Sequence, residues 1–272
     1  MMKYDSVFCQ TLWKTGKVPC PILDFHGHMH SYVSAAFPAA ESHQMIETMN
    51  RCGTRWLFFC SHLAMYDPVY GEAIQREAVQ TYPDRMKAYH GVITTHADPD
   101  GFVRDMETYP EAYVGCKFLA DYYRTPMDDD RNRPYLEYLD EHGLLALIHT
   151  WGGSLYSGPE RIAKLSERYT NVSFICGHSF SGDFDHAYDI LKDLPNVYFE
   201  FTAVPRERGF IERICEKAGS QRLLFGTDLP WFGTLHGVGS LASADITDED
   251  RENILYRNGD RLLRRFAWYT GL

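Results

Sequence analysis

The segment DFHGHMH, residues 24–30, sets His26, His28 and His30 two residues apart behind the apolar pair Ile22-Leu23. Alternate side chains of a strand point to one side, so Asp24 and the three imidazoles share a face if this segment is extended. Other polar residues also follow apolar runs directly. His62 closes RWLFFCSH, Lys117 sits in VGCKF, His149 ends LLALIH, His178 ends FICGH, and Asp228 follows LLFGT. Imidazole and carboxylate groups ligate zinc, and also manganese, iron or nickel. Three histidines and one carboxylate around a divalent cation leave a position open for water. The cation lowers the pKa of that water and polarises a carbonyl. A further histidine or carboxylate nearby can shuttle protons.

These residues lie up to two hundred positions apart, so a fold must bring them together. Apolar runs recur at residues 21–25, 55–60, 86–94, 113–119, 144–149, 172–176, 197–201 and 223–226. The spacing of roughly thirty residues is that of a βα unit. Most runs are apolar at every position, as in Trp56-Leu57-Phe58-Phe59, which fits parallel strands covered by helices. Between them lie helical stripes: Met45, Ile46, Met49 and Cys52; Phe184, Ala187, Tyr188, Leu191 and Leu194; Phe210, Ile211, Ile214, Cys215 and Ala218. A last helix is predicted to start near Thr247, with Asp250 completing a capping-box-like pair, and to run through Ile254, Leu255, Leu262 and Phe266. A doubly wound sheet uses the same local pattern, but eight strand–helix units predict a (β/α)8 TIM barrel. In that fold the active residues stand at the C-terminal ends of the strands, where His26, His28, His62, His149, His178 and Asp228 fall. A chain of 272 residues suits one such domain, with residues 1–20 an extension before the first strand.

Composition excludes other classes. Twenty-seven basic against 37 acidic residues give a net charge of -10, which argues against nucleic acid or anionic membrane as a partner. The seven cysteines form no C-x-x-C pair, and Cys60, Cys116 and Cys176 lie inside apolar runs, as in a reduced, cytoplasmic protein. The opening MMKYDSVFCQTLWKTGK has no apolar signal core, and no apolar stretch reaches membrane-spanning length.

With these residues in view, the chain resembles the amidohydrolase superfamily, and within it the amidohydrolase 2 group of metal-dependent hydrolases, decarboxylases and lactonases. The resemblance rests on DFHGHMH, VGCKF, LLALIHTWGG, FICGHS, LLFGTDLP and the tail ENILYRNGDRLLRRF, and runs from Asp24 to Phe266. It implies His26, His28, His149 and Asp228 as ligands of one divalent metal, most readily zinc. It implies that Asp228 takes a proton from water and passes it to the leaving group. His178 would polarise the substrate or move protons, or ligate a second metal if there are two. Some superfamily members carboxylate a lysine on strand four to bridge two metals, so Lys117 is either bridging, substrate-facing or a buried, paired amine. The implied activity is hydrolysis of an amide, ester or lactone bond in a small acidic or cyclic substrate. The alternative in the same site is non-oxidative decarboxylation of an aromatic or unsaturated acid. Phosphoester hydrolysis generally needs two metals. A structural or sensory metal would make the chain no enzyme at all. The resemblance also makes a homodimer plausible, although no segment marks an interface.

Individual residues carry less. His62, His90, His96, His142, His186 and His236 read first as structural, with His62 and His236 near strand ends. His30, His62, Arg124, Trp151 and Trp231 are candidate substrate contacts, while Tyr122, Tyr123, Tyr156 and Phe232 read first as rim packing. Asp24 reads as a structural acid beneath the metal layer. Glu200, in VYFEFTA, is either an acid that orients a ligand or the partner of a buried cation. Asp183 and Asp185 read as helix N-terminal residues.

Overall fold

Each apolar run forms a parallel strand. The computed structural model describes residues 6–32, 34–203 and 209–272. Its strands are β1 (Ile22–Met29), β2 (Thr54–Ser61), β3 (Met86–Val92), β4 (Tyr113–Phe118), β5 (Leu145–Trp151), β6 (Ser173–Ser181), β7 (Val197–Glu200) and β8 (Leu223–Leu224). They hydrogen-bond in sequence order from β1 to β8. The seam closes where Phe25 N–H donates to Phe225 O (2.9 Å) and Asp228 N–H to His26 O (2.6 Å), with a parallel bridge between Gly27 and Leu229. This is the (β/α)8 barrel.

The doubly apolar strands have two cores to fill. Leu23, Phe25, Trp56, Phe58, Tyr89, Val114, Leu145, Leu147, Ile175 and Leu224 form one cluster, the barrel lumen. The alternating residues, among them Leu57, Phe59, Ala88, Ala146, Phe174 and Phe199, pack in the other cluster against the helices. Those helices are α1 (Val7–Thr15), α2 (Ser42–Cys52), α3 (Pro68–Thr81), α4 (Pro99–Thr108), α5 (Ala120–Tyr123), α6 (Arg133–His142), α7 (Pro159–Arg168), α8 (Phe184–Leu191), α9 (Phe210–Ala218), α10 (Thr234–Ser243), α11 (Asp248–Glu252) and α12 (Asn258–Leu263). The stripe on α2 is buried at all four positions the periodicity picks out, whereas Leu194 lies just past α8.

The segment before β1 is more than a leader to the barrel. Ser6 caps α1, Phe8 and Cys9 are buried, and the Ser6 hydroxyl reaches Asp248 (2.5 Å). The final helix starts as the capping pair predicts, with Thr247 and Asp250 bonded reciprocally. It passes through a π turn (Asn253–Arg257) into α12 and stops at Leu263, so Phe266 packs from a turn instead of a helix. Asn258 donates to Ser220 O (2.6 Å) and Leu223 O (2.7 Å), tying this helix to the start of β8. Gly259 beside it must be small, because a Cβ there would lie 2.5 Å from the Phe25 ring. Leu262, Leu263, Phe266, Trp268 and Tyr269 close the lumen from the N-terminal end of the strands, with Trp268 against Trp56. The opposite end is left for the polar residues.

Candidate metal centre

His26 and His28 project from the end of β1, and the barrel seam sets Asp228 against them. The Asp228 carboxylate is 3.0 Å from His28 Nε2 and 3.5 Å from His26 Nε2. Ligand atoms of these three residues all lie within 4.8 Å of one another. Asp228 has φ 59°, in the left-handed region, as do His178 (67°), Ser179 (48°), Phe180 (51°) and Ala203 (60°). Such a conformation costs a non-glycine residue about 1 kcal/mol, and it collects where a side chain must be aimed. The turn at the end of β6 is held by Ser179 Oγ donating to Glu200 O (2.8 Å) and Thr150 Oγ1 to Gly177 O (2.7 Å).

Hydrogen bonds fix the protons on the imidazoles. His28 Nδ1 faces Cys60 O (2.9 Å) and His178 Nδ1 faces Thr202 O (3.1 Å); a carbonyl only accepts, so both Nδ1 atoms carry hydrogen. His26 Nδ1 faces the Glu200 carboxylate (2.8 Å). Of the two readings of Glu200, the acid that orients a histidine is therefore the observed contact. Burial pushes the Glu200 carboxyl up to about 8, against the Thr202 hydroxyl and N–H, which pull it down. In its ionised form, which a cation at the centre would favour, it accepts from His26 Nδ1 and leaves the lone pair on Nε2. The His28 Nε2 lone pair is then directed at Asp228 (3.0 Å), and that of His26 at Lys117 Nζ (2.9 Å) with Asp228 beyond it (3.5 Å). Two acceptors face each other at 3.0 Å, an arrangement that needs a proton or a metal cation between them. Burial and the nearby Lys117 charge hold His26 well below the usual histidine range, so its lone pair is free of a proton. Asp228 stays ionised: burial works to raise it, but His26 and His28 outweigh that and hold it well below the carboxylate range. Imidazoles oriented by outer acceptors, together with a carboxylate, make a donor set that fits a divalent transition metal.

The remaining expected ligand stands apart. His149 Nε2 accepts from Trp151 Nε1 (2.8 Å), and His149 Nδ1 is buried without a partner. Lys117 is buried in the lumen, with Nζ 2.9 Å from His26 Nε2. Burial lowers its pKa to about 8. His178 is pulled down to about 4, chiefly by burial, and so offers a lone pair at Nε2. Asp24 sits beneath this layer as read. It accepts from Thr227 Oγ1 (2.6 Å), Thr227 N–H (3.1 Å) and His26 N–H (3.2 Å), and burial raises it to about 7.

Above the centre lies a cleft of about 220 Å³ lined by aromatic rings, including Tyr32, Tyr122, Trp151, Trp231 and Phe232, with His28, His62, His149, His178 and Asp228 also reaching it. Trp151 stacks on His178 (4.6 Å, 7°) and His62 on His28 (4.6 Å, 20°). Both nitrogens of His62 are engaged, Nδ1 with His30 O (2.7 Å) and Nε2 with Trp231 Nε1 (3.0 Å), so it serves as a wall and an anchor. His30 does not line the cleft; its ring lies between Ser61 Oγ (3.0 Å) and Glu41 (3.2 Å). Arg124 is exposed at the end of α5 and is not among the lining residues. Tyr32 had no signal in the sequence, because it lies in an irregular segment, placed by a two-bond backbone bridge to Ala35 (3.0 Å each) and by ring packing on His62, Tyr66, Tyr122 and Trp231. Residues 204–208, which follow Ala203 at the cleft, lie outside the described residues.

Between β3 and the helices around it, Glu72, His90 and the partly buried Asp105 form a second cluster. There the cation is already supplied, since Arg76 reaches Asp105 (2.9 Å), and Glu72 accepts from Gly91 N–H (2.8 Å) and Tyr113 (2.8 Å). The structural reading of His90 accounts for this network. Asp183 occupies the N-cap position of α8 but makes no side-chain cap; its carboxylate pairs with His186 instead (3.1 Å).

The fold and the site together define a (β/α)8 barrel with a histidine–carboxylate centre at the C-terminal mouth. The chain belongs to the amidohydrolase family Amidohydro_2, whose pattern matches residues 65–265. No curated protein matches it significantly. Among solved structures, it is similar to a TIM-barrel protein from Bordetella bronchiseptica (TM-score 0.74, 17% identity, covering 90% of this chain and 99% of that one). It is also similar to a 5-carboxyvanillate decarboxylase from Novosphingobium aromaticivorans complexed with manganese and 4-hydroxy-3-methoxy-5-nitrobenzoic acid (0.69, 12%, 90% and 96%). A third is a probable 2-pyrone-4,6-dicarboxylic acid hydrolase from Acinetobacter baumannii with citric acid bound (0.65, 17%, 89% and 99%). At these identities the likeness is one of fold. Among the described residues no helix is long and apolar enough to cross a membrane.

Proposed function

We propose that the protein is a metal-dependent hydrolase that opens an ester, lactone or amide bond in a small planar, cyclic substrate. The observation that carries this is the convergence of His26, His28 and Asp228 within 4.8 Å at the floor of an aromatic cleft. A divalent cation, zinc or manganese, held by these residues and joined by His149 would supply Lewis acidity for water and carbonyl alike. The protein's own groups do the rest. Asp228, ionised, accepts the proton of the attacking water and returns it to the departing oxygen or nitrogen. The His178 tautomer, with hydrogen on Nδ1, makes Nε2 a proton acceptor that orients or deprotonates water; it cannot donate to a carbonyl from that nitrogen while neutral. Glu200 holds His26 in its working tautomer. A dry cavity of about 150 Å³ accommodates a benzene molecule, so the 220 Å³ here suits one substituted ring.

A second reading has an observation of its own. The stacked walls of Trp151, Trp231, Tyr32 and Tyr122 suit an aromatic acid, and Asp228, after taking a proton from water or from a hydroxyl of the substrate, would pass it to the ring carbon as carbon dioxide leaves. The experiment is a parallel screen of zinc- and manganese-loaded protein. Lactones and cyclic amides are followed by proton release, and hydroxylated benzoic acids by carbon dioxide release. Turnover of the first set, abolished by Asp228→Asn, is the expected result. Carbon dioxide release with no hydrolysis would overturn hydrolysis in favour of the second reading.

A further inference from the structure

Three residues of the centre converge, with His26 Nε2 shared with Lys117 Nζ (2.9 Å), a donor that a cation would also have to displace, and the fourth is held aside. His149 stands at the end of β5 with its ring 4.7 Å from that of His178. Its Nε2 already accepts the indole N–H of Trp151 at 2.8 Å. An imidazole nitrogen has one in-plane lone pair, which cannot serve a hydrogen-bond donor and a metal at once. Because Nε2 is the acceptor, the proton of the neutral ring sits on Nδ1, and that atom is buried with no partner. Neither nitrogen of His149 is therefore open to a cation while the indole bond stands. This agrees with the ligand atoms of His26, His28 and Asp228 clustering without it.

Trp151 is placed to respond. It is the last residue of β5, only partly buried, and Gly152 and Gly153 follow, the second with φ 75°. Its ring also forms the cleft wall that stacks on His178. Beyond the glycines the loop is pinned again, where Ser154 and Ser157 donate to the Asp121 carboxylate at 2.7 and 2.8 Å. The backbone is held on both sides of Trp151, since Gly152 N–H also donates to Ser181 O (3.0 Å), so release of the bond requires the indole side chain to turn.

We propose that Trp151 is a latch on His149: its indole N–H keeps the imidazole off the metal centre, and a divalent cation recruits His149 only by releasing that bond and shifting the cleft wall. The inference rests on the metal-centre reading above. It makes Trp151 a positioning residue that links occupancy of the centre to the shape of the substrate cleft.

The test is Zn²⁺ binding to metal-free protein without substrate, by competition with a chromophoric chelator, for wild type, Trp151→Phe, His149→Ala and the double variant. Phenylalanine keeps a ring against His178 and removes the N–H. A neutral hydrogen bond contributes about 0.5–1.5 kcal/mol net, so Trp151→Phe is expected to bind Zn²⁺ roughly three- to ten-fold more tightly. In the His149→Ala background the same substitution is expected to have no effect. Indole emission changes on saturation of the wild type, and that component is missing from Trp151→Phe. Equal affinities of wild type and Trp151→Phe, with identical emission changes, would overturn the latch and leave the metal centre standing. Weaker binding by Trp151→Phe, with circular dichroism unchanged, would overturn it too. Failure of wild type and every variant to bind Zn²⁺ would overturn the centre and the latch together.

Discussion

Glu200→Gln is nearly isosteric, yet it should cripple the centre through a single proton. In the native protein one carboxylate oxygen of Glu200 accepts both the N–H and the hydroxyl of Thr202, and the other accepts from His26 Nδ1 at 2.8 Å. A glutamine must keep its oxygen on the Thr202 N–H, which can only donate. Its NH2 group then faces His26 Nδ1, donor against donor. The clash is relieved if His26 moves its proton from Nδ1 to Nε2, and that move removes the lone pair aimed at the centre. Loss of an outer partner of a metal-bound histidine costs about 10–100-fold in metal affinity, about 1.4–2.7 kcal/mol. The stability loss should be smaller, about 1–2 kcal/mol, because most of the hydrogen bonds survive. Chelator competition measures the first quantity and thermal unfolding of the metal-free protein the second. A folded Glu200→Gln variant that binds zinc within two-fold of wild type would refute the tautomer argument.

Three further substitutions test the scaffold. Asp24→Ala strips the acceptor shared by Thr227 and the His26 N–H; a loss of about 3 kcal/mol should lower Tm by about 6–12 °C, and an unchanged Tm would remove Asp24 from the β1–β8 seam. Gly115→Ala places a Cβ 1.8 Å from Leu145 O, a backbone atom of β5 that cannot swing away, so soluble yield should collapse; a stable variant of native Tm would contradict the packing. His90→Ala should destabilise in a pH-dependent way. Burial tends to lower the His90 pKa, but Glu72 and Asp105 outweigh it and the net shift is upward. A histidine raised on folding stabilises fully below its unfolded value near 6.5 and loses that contribution as pH rises through the folded value. The Tm difference between wild type and variant should therefore be largest in mild acid and shrink in mild alkali; a constant difference would show that only packing was lost.

The barrel was legible because most of its strands carry apolar residues on both faces, which a sheet covered on both sides requires. The centre was legible in part. His26, His28 and Asp228 stand directly after such runs, so strand register alone delivers them to one place. His149 also ends a strand, but the donor that occupies its Nε2 is a matter of side-chain orientation that no spacing records. His30 follows the same alternation as His26 and His28, yet its φ of 67° leaves the strand geometry and turns the ring towards Ser61 and Glu41. Arg124 was singled out by its nearness to strand four, and a left-handed residue at the end of a four-residue helix leaves it exposed instead. Tyr32 belongs to no periodic segment and could be found only once the rings around it had been placed.

The most direct test of the account is metal content per chain, measured by elemental mass spectrometry on tag-free protein purified without chelator, beside His26→Ala, His28→Ala and Asp228→Ala. About one divalent transition metal per wild-type chain, lost from each variant, is the predicted result. Wild-type protein that stays empty after incubation with zinc or manganese, or variants that retain the metal, would contradict it.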